Sequence, residues 1–444
     1  MTLVLFIVAL LTALAVCAIM LPKPHGYLTY PLLAAGFYLA WLAPQLAVVL
    51  QDPFAPKDGL WAMSLMVFLA LPGVVFAWAA GCRQAARRLA LPGAEPKIPP
   101  ARDLFWPVAA LTVVSIGCRT LLGTMRLDPT LTTQWSGPIV IVYTVAAIRI
   151  IPLFLSLSLV LRRRTPATIV LAAINLLLCA SFAFVDIGRS ETIDFVLVLF
   201  LSLWFARRIR IPLPILACSG AVLAVFVFAV GELRQASADY FDLTGRRVSI
   251  FSPAVWRNID FEQASANAAE KAPDVRNAVY LMAHRQWEGG YTVGTRLWDN
   301  LVFRWVPAQL VGQDLKSALM FDSDVDAVYD VIADRYNYER AVGTTSTGFG
   351  VAFSEFWYFG ALLFAVYAWF AGRWWTLGQR GDIWAQVMYA ATLGSGLINF
   401  THDVYWTWMS LPLFLAGVGF VKVWLWAVAR PAVAAPGALQ ARLV

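Results

Sequence analysis

Four arginines, Arg119, Arg126, Arg189 and Arg234, stand at or beside the ends of long apolar runs, at the depth of lipid headgroups. A charge next to hydrocarbon is costly and normally faces a protein interior or a wet cavity. Guanidinium groups gathered there suit a pyrophosphate, because the planar fork pairs two phosphate oxygens at once and keeps its charge at physiological pH. Singly, each can also snorkel to ordinary phospholipid phosphates. Arg149 lies in the middle of a run and is expected to pair inside the bundle. Carboxylates at the same boundaries are Glu191, Asp194 and Glu355, with His402 and Asp403 in a tight turn between the last two runs. Such a carboxylate can serve as general base or hold an arginine, and the sequence leaves both roles open.

A second set lies between the apolar runs. Arg276, Tyr280, His284 and Glu288 recur every four residues, as do Arg296, Asn300 and Arg304, so each set occupies one face of a helix. Each face is either solvated or turned toward a substrate. The helices themselves are expected from Asp274 to Trp287, closed by Gly289 and Gly290, from Thr295 to Trp305, ended by Pro307, and from a Ser323 cap to about Tyr336. Asp322, Asp324 and Asp326 have the alternation of a calcium loop, but Ala327 stands where the turn glycine is required and Ala333 where the bidentate Glu belongs. They read as acidic residues at the positive end of a helix dipole. No Ser-His-Asp order, P-loop or Rossmann glycine pattern appears in a suitable context.

These residues must be positioned by membrane helices. The chain is 60% hydrophobic and only 14% charged, against about 25% charged in a soluble domain, which excludes a soluble enzyme. Its apolar runs are long enough to cross a hydrocarbon core. Eleven spans are expected, at about 2 to 21, 27 to 50, 59 to 81, 105 to 124, 138 to 161, 167 to 185, 193 to 206, 213 to 231, 350 to 371, 383 to 400 and 403 to 428. The first run lacks a basic n-region and a small-residue cleavage site, so it is expected to be retained. The division is thus 1–231 for helices one to eight, 232–349 for a large external and mostly helical loop, and 350–444 for the last three helices and a short tail.

Basic residues fall on alternate connections: Arg83, Arg87, Arg88, Lys97 and Arg102, then Arg162 to Arg164, then Arg207, Arg208 and Arg210, then Arg373 and Arg380. The positive-inside rule makes those connections and the C-terminus cytoplasmic, with the N-terminus and the loop on the other side. The loop carries 12 basic against 16 acidic residues, a net of −4, which leaves +11 for the membrane part. It is therefore no nucleic-acid binder and no polybasic lipid anchor. None of the five cysteines, Cys17, Cys82, Cys118, Cys179 and Cys218, lies in the loop, and no disulfide framework is implied.

Two segments carry a family resemblance. The stretch from Asp186 to Phe195, with Arg189 at the start of an apolar helix, resembles the S/G-R-x-x-x-Leu-rich entry helix of the bacterial Wzy-type O-antigen and oligosaccharide repeat-unit polymerases. Val306 to Leu310 with Lys316, then Thr344 to Gly350, then Phe353 to Gly360 with Glu355, resemble the end of that family's large periplasmic loop. Where many members have an arginine after the proline, this chain has Ala308, so Arg304 would supply that charge from one turn earlier.

The resemblance implies a GT-C-like, all-α polytopic protein of the bacterial inner membrane. Its implied activity joins polyprenyl-pyrophosphate-linked oligosaccharides at the periplasmic face, with inversion and with no metal or other cofactor. On this expectation Glu355 is the first choice for the base, with Glu191 and His284 behind it, while Arg189 and Arg234 stabilise the leaving pyrophosphate. Arg119, Arg126, Arg276, Tyr280, Arg296, Arg304 and Lys316 would bind substrate. Membrane lipids and a chain-length regulator protein are the other implied partners.

Three other readings compete. An O-antigen ligase would need a histidine followed by glycines in the loop, and His284 with Gly289 and Gly290 does not fit that spacing. A transporter of lipid-linked oligosaccharides would show internal repeats or paired broken helices, and neither is visible. A metal-dependent lipid-phosphate glycosyltransferase would place an acidic pair directly after the first span, where this chain has Leu21, Pro22 and Lys23.

Overall fold

The computed structural model describes residues 1–23, 25–91, 99–125, 138–185, 189–212, 214–215, 218–220, 272–321, 325–340 and 344–429. All regular structure among these residues is helical. Eight helical segments are long and apolar enough to cross a membrane: Thr2–Met20, Tyr30–Leu50, Lys57–Leu89, Arg102–Thr124, Ile139–Arg162, Pro166–Phe184, Thr347–Gln379 and Trp406–Val428. The protein is a polytopic helical membrane protein. Helices also occupy two further expected positions, Arg189–Arg207 and Ile383–Thr401. Most of the expected span 213 to 231 lies outside the described residues.

In chain order the helices before the loop are α1 (Thr2–Met20), α2 (Tyr30–Phe37), α3 (Ala43–Leu50), α4 (Lys57–Leu89), α5 (Ala101–Thr124), α6 (Pro138–Ala146), α7 (Ile150–Arg162), α8 (Pro166–Ala180) and α9 (Arg189–Arg207). The loop supplies α10 (Pro273–Glu288), α11 (Thr295–Trp305), the short α12 (Ala308–Val311) and α13 (Gln313–Ala318), and α14 (Val325–Tyr336). Then follow α15 (Thr347–Phe356), α16 (Ala361–Gln379), α17 (Ile383–Thr401) and α18 (Trp406–Ala429). The sequence signals set these ends. Thr165 and Thr168 form a reciprocal capping box ahead of Pro166, Asp382 accepts from the Trp384 and Ala385 amides, and Gly289 leaves α10 at φ 71°.

The helices α4 and α16 pack along much of their length. Small residues permit this: a Cβ at Gly81 would collide with the Trp369 carbonyl, and one at Gly372 with that of Trp78. At the far end of α4, a Cβ at Gly59 would strike the Val279 carbonyl, because α10 lies directly on the start of that helix. Asp274 fixes the head of α10, accepting from Trp41 Nε1 at 3.3 Å and from the Thr345 amide and hydroxyl at 3.0 Å.

The other end of the bundle is basic. Arg162 reaches the Gln386 side chain at 3.4 Å, and Arg208 donates to Gln379, which brings the C-terminal ends of α7, α9 and α16 beside the start of α17. Arg87 and Arg88 in the last turn of α4 and Arg380, the C-cap of α16, lie at the same end.

Candidate functional site

At the end of the bundle opposite this basic edge, charged side chains from distant parts of the chain come together. A 3-10 turn, Ala147–Arg149, interrupts the span Ile139–Arg162, and Arg149 is buried there. Its guanidinium lies 4.0 Å from the centre of the Phe182 ring, 3.9 Å from Glu191 Oε1 and 3.1 Å from the Ala146 carbonyl. Arg119 approaches the same ring at 4.6 Å. Phe182 belongs to a π-helical turn, Ser181–Val185, which extends α8 by an irregular turn toward the start of α9. Glu191 also accepts from the Tyr143 hydroxyl and, at 2.7 Å, from Ser190. The expected internal pairing of Arg149 is therefore present.

The loop helix α11 adds two more cations. Arg296 lies 3.7 Å from Asp403, the carboxylate in the turn between α17 and α18. Arg304 stacks at 4.8 Å over Trp406, the first residue of α18, with Tyr143 and the Asp403 carboxylate nearby. Burial holds the Arg304 pKa below the ordinary arginine value. Among the described residues no carboxylate is within salt-bridge distance of it. Tyr143 thus links the two halves, bonded to Glu191 and close to Arg304.

Glu355 closes the row. It lies near the C-terminal end of α15, fully buried, and its Oε2 accepts from the Gly294 amide at 2.6 Å. The turn before α11 clamps onto α15 through two further bonds, Thr292 N to Ser354 O at 3.2 Å and Val293 N to Glu355 O at 2.9 Å. Gly294 sits at φ 90°, a conformation that a side chain would resist. Around the second carboxylate oxygen, Glu355 Oε1, Thr292 Oγ1 and Tyr405 OH are buried without a well-formed hydrogen bond, and both hydroxyls neighbour the carboxylate. Burial, then the charges of Glu355 and Asp403, raise the Tyr405 pKa well above its usual value. A buried carboxylate with one oxygen facing two hydroxyls is placed to take a proton from a neighbouring hydroxyl.

Of the residues expected from the sequence, Arg119, Glu191, Arg296, Arg304 and Glu355 belong to this row. Arg126 and Arg234 lie outside the described residues, and Arg189 is described only as the first residue of α9. The Asp322 to Asp326 cap likewise falls outside, apart from the backbone of Val325 and Asp326.

On the stripe of α10, Tyr280 and His284 are buried and not solvated. Tyr280 stacks on Tyr338 at 4.0 Å and Arg276 pairs with Asp52, so the loop and the connection after α3 cover this face. His284 Nε2 lies 3.1 Å from Glu288, and burial lowers its pKa against the opposing pull of Glu288. Lys316 donates to the Phe303 carbonyl at 3.0 Å and lies over that residue's ring, tying α13 to α11.

The row contains three partners that the sequence reading passed over: Tyr143, Tyr405 and Thr292. The pair of hydroxyls Tyr143 and Thr144 within the otherwise apolar run from Ile139 to Ala147 is the available signal for Tyr143. The segment Thr344 to Gly350 is a packing element. Asn277 donates to Thr344 Oγ1 and the Thr345 carbonyl at 2.8 Å, a Cβ at Gly348 would meet the Asn399 carbonyl, and one at Gly350 would lie 3.1 Å from Ala278 Cα.

Compared with known protein families, curated proteins and solved structures, the chain has no match.

Proposed function

We propose that the protein is a polysaccharide polymerase. It transfers a growing glycan from a polyprenyl-pyrophosphate carrier to the non-reducing end of a polyprenyl-pyrophosphate-linked repeat unit, at the periplasmic face, with inversion and without a metal. The observation that carries the reading is the row itself: Arg119, Arg149, Arg296 and Arg304 together with Glu191, Asp403 and Glu355 at one end of a membrane bundle. The basic connections at the opposite end favour a periplasmic location for the row.

In the proposed step, the acceptor hydroxyl oxygen forms a bond to the anomeric carbon as the bond from that carbon to the pyrophosphate oxygen breaks. Glu355 takes the hydroxyl proton, and the departing pyrophosphate keeps the electron pair. Negative charge on the leaving group grows in the transition state, so a guanidinium beside it stabilises that state more than the ground state. Arg304 suits this role, since among the described residues it makes no salt bridge of its own. Arg149 and Arg296 are already partnered and hold the carboxylates of Glu191 and Asp403 in place.

The test is incubation of purified protein with a lipid-pyrophosphate oligosaccharide pool in EDTA, followed by gel analysis. A ladder supports a polymerase. One shifted band on added lipid A core, with no ladder, would assign a ligase instead.

A further inference from the structure

The basic end of the bundle contains a cavity of about 250 Å³ that the proposed reaction does not use. Lys23 and Arg380 line it together with His25, Trp78, Trp375 and Gln379. The His25 ring centre lies 5.6 Å from those of both Trp204 and Trp375, and Trp78 stands 6.3 Å from Trp375, so one wall is aromatic. Lys23, Arg208 and Arg210 all act on His25 as neighbouring positive charges.

Two observations indicate the kind of ligand that fits. First, among the described residues neither Lys23 nor Arg380 makes a salt bridge, and no acidic side chain lines the cavity. Second, a buried hydrogen-bond donor on the wall, Gln379 Nε2, lacks an acceptor. Buried donors without acceptors carry a free-energy penalty that a bound anion would relieve. The sign of every unmatched group is the same.

We propose that this cavity binds a phosphate ester, with the phosphate between Lys23 and Arg380 and the organic part of the ligand against the indoles. The same chemistry is offered by a phospholipid headgroup of the adjoining leaflet and by a soluble phosphate ester. The site is separate from the charged row at the other end, and the inference does not depend on the polymerase reading.

The full chain in detergent is titrated with dioleoyl phosphatidic acid or, separately, with AMP, and bound adducts are counted by native mass spectrometry. Wild type should retain one molecule of at least one probe. The exposed pair Lys23→Ala/Arg380→Ala should bind it about 10-fold more weakly or worse, the scale of a lost charged hydrogen bond. Retention of the lipid alone identifies a headgroup site, and retention of AMP identifies a site for soluble esters. A Lys23→Gln/Arg380→Gln variant with wild-type thermal stability should reproduce the loss. Binding of neither probe by wild type overturns the proposal. So does an equal loss in Arg163→Ala/Arg164→Ala, which removes the same charge from the same end outside the cavity.

Discussion

Replacing Glu355 by glutamine separates its chemical role from its structural one. Its Oε2 accepts the Gly294 amide at 2.6 Å, and a glutamine amide oxygen can accept the same bond. The side chain keeps its shape, and its NH2 can turn toward Thr292 and Tyr405, whose hydroxyls neighbour the carboxylate. Fold stability should therefore be nearly unchanged. The proton acceptor is gone, however, and loss of a general base slows a reaction by about 100- to 10,000-fold. Glu355→Ala differs in kind, because it leaves the Gly294 N–H buried without an acceptor, at a cost of about 1–3 kcal/mol, and opens a cavity. The assay pairs initial rates of ladder formation with thermal unfolding in detergent. If Glu355→Gln elongates within about 10-fold of wild type, Glu355 is not the base. If it unfolds as readily as the alanine variant, the account of its hydrogen bonding is wrong.

Other outcomes follow from the same geometry. Arg304→Ala should reduce elongation by about 2–4 kcal/mol of barrier, with lysine recovering part of the loss, and equal rates for all three would move the leaving-group site elsewhere. Arg149→Ala strands the buried Glu191 and should destabilise the protein by about 3–5 kcal/mol, while adding Glu191→Gln should restore part of that in a thermal melt. His284 has a folded pKa below its ordinary 6.5, so the unfolded chain binds more protons as the pH falls through that value, and stability should drop on acidification. Comparing melts at about pH 7.5 and pH 5.5, His284→Gln should lose less than wild type. Gly372→Leu should disrupt the contact of α16 with α4 at Trp78 and abolish recovery of folded protein in size-exclusion chromatography.

Local features were legible where one residue decides the outcome. Pro273 and Gly289 bound α10, and Thr295 to Trp305 is helical between Gly294 and Pro307, as the capping and breaking signals require. Apolar runs located the spans for the same reason: a bilayer imposes length and composition on each segment separately. The partner of each polar face was not legible. Four-residue spacing puts Arg276, Tyr280 and His284 on one side of α10, but only the folded chain brings Asp52 and Tyr338 over that side. Likewise Tyr143 and Tyr405 look like ordinary aromatic residues of membrane helix ends, and their importance comes from contacts with Glu191 and Glu355, far away in sequence. Irregular turns such as Ala147–Arg149 and Ser181–Val185, which place Arg149 against Phe182, leave no periodic signal.

In the proposed function the charged row transfers glycans between lipid-pyrophosphate carriers. Purified protein, reconstituted with one polyprenyl-pyrophosphate-linked oligosaccharide in EDTA, should convert it to a ladder spaced by whole repeat units, with free polyprenyl pyrophosphate released once per bond formed. An unchanged substrate band from folded protein, supplied with its native oligosaccharide, would contradict the account.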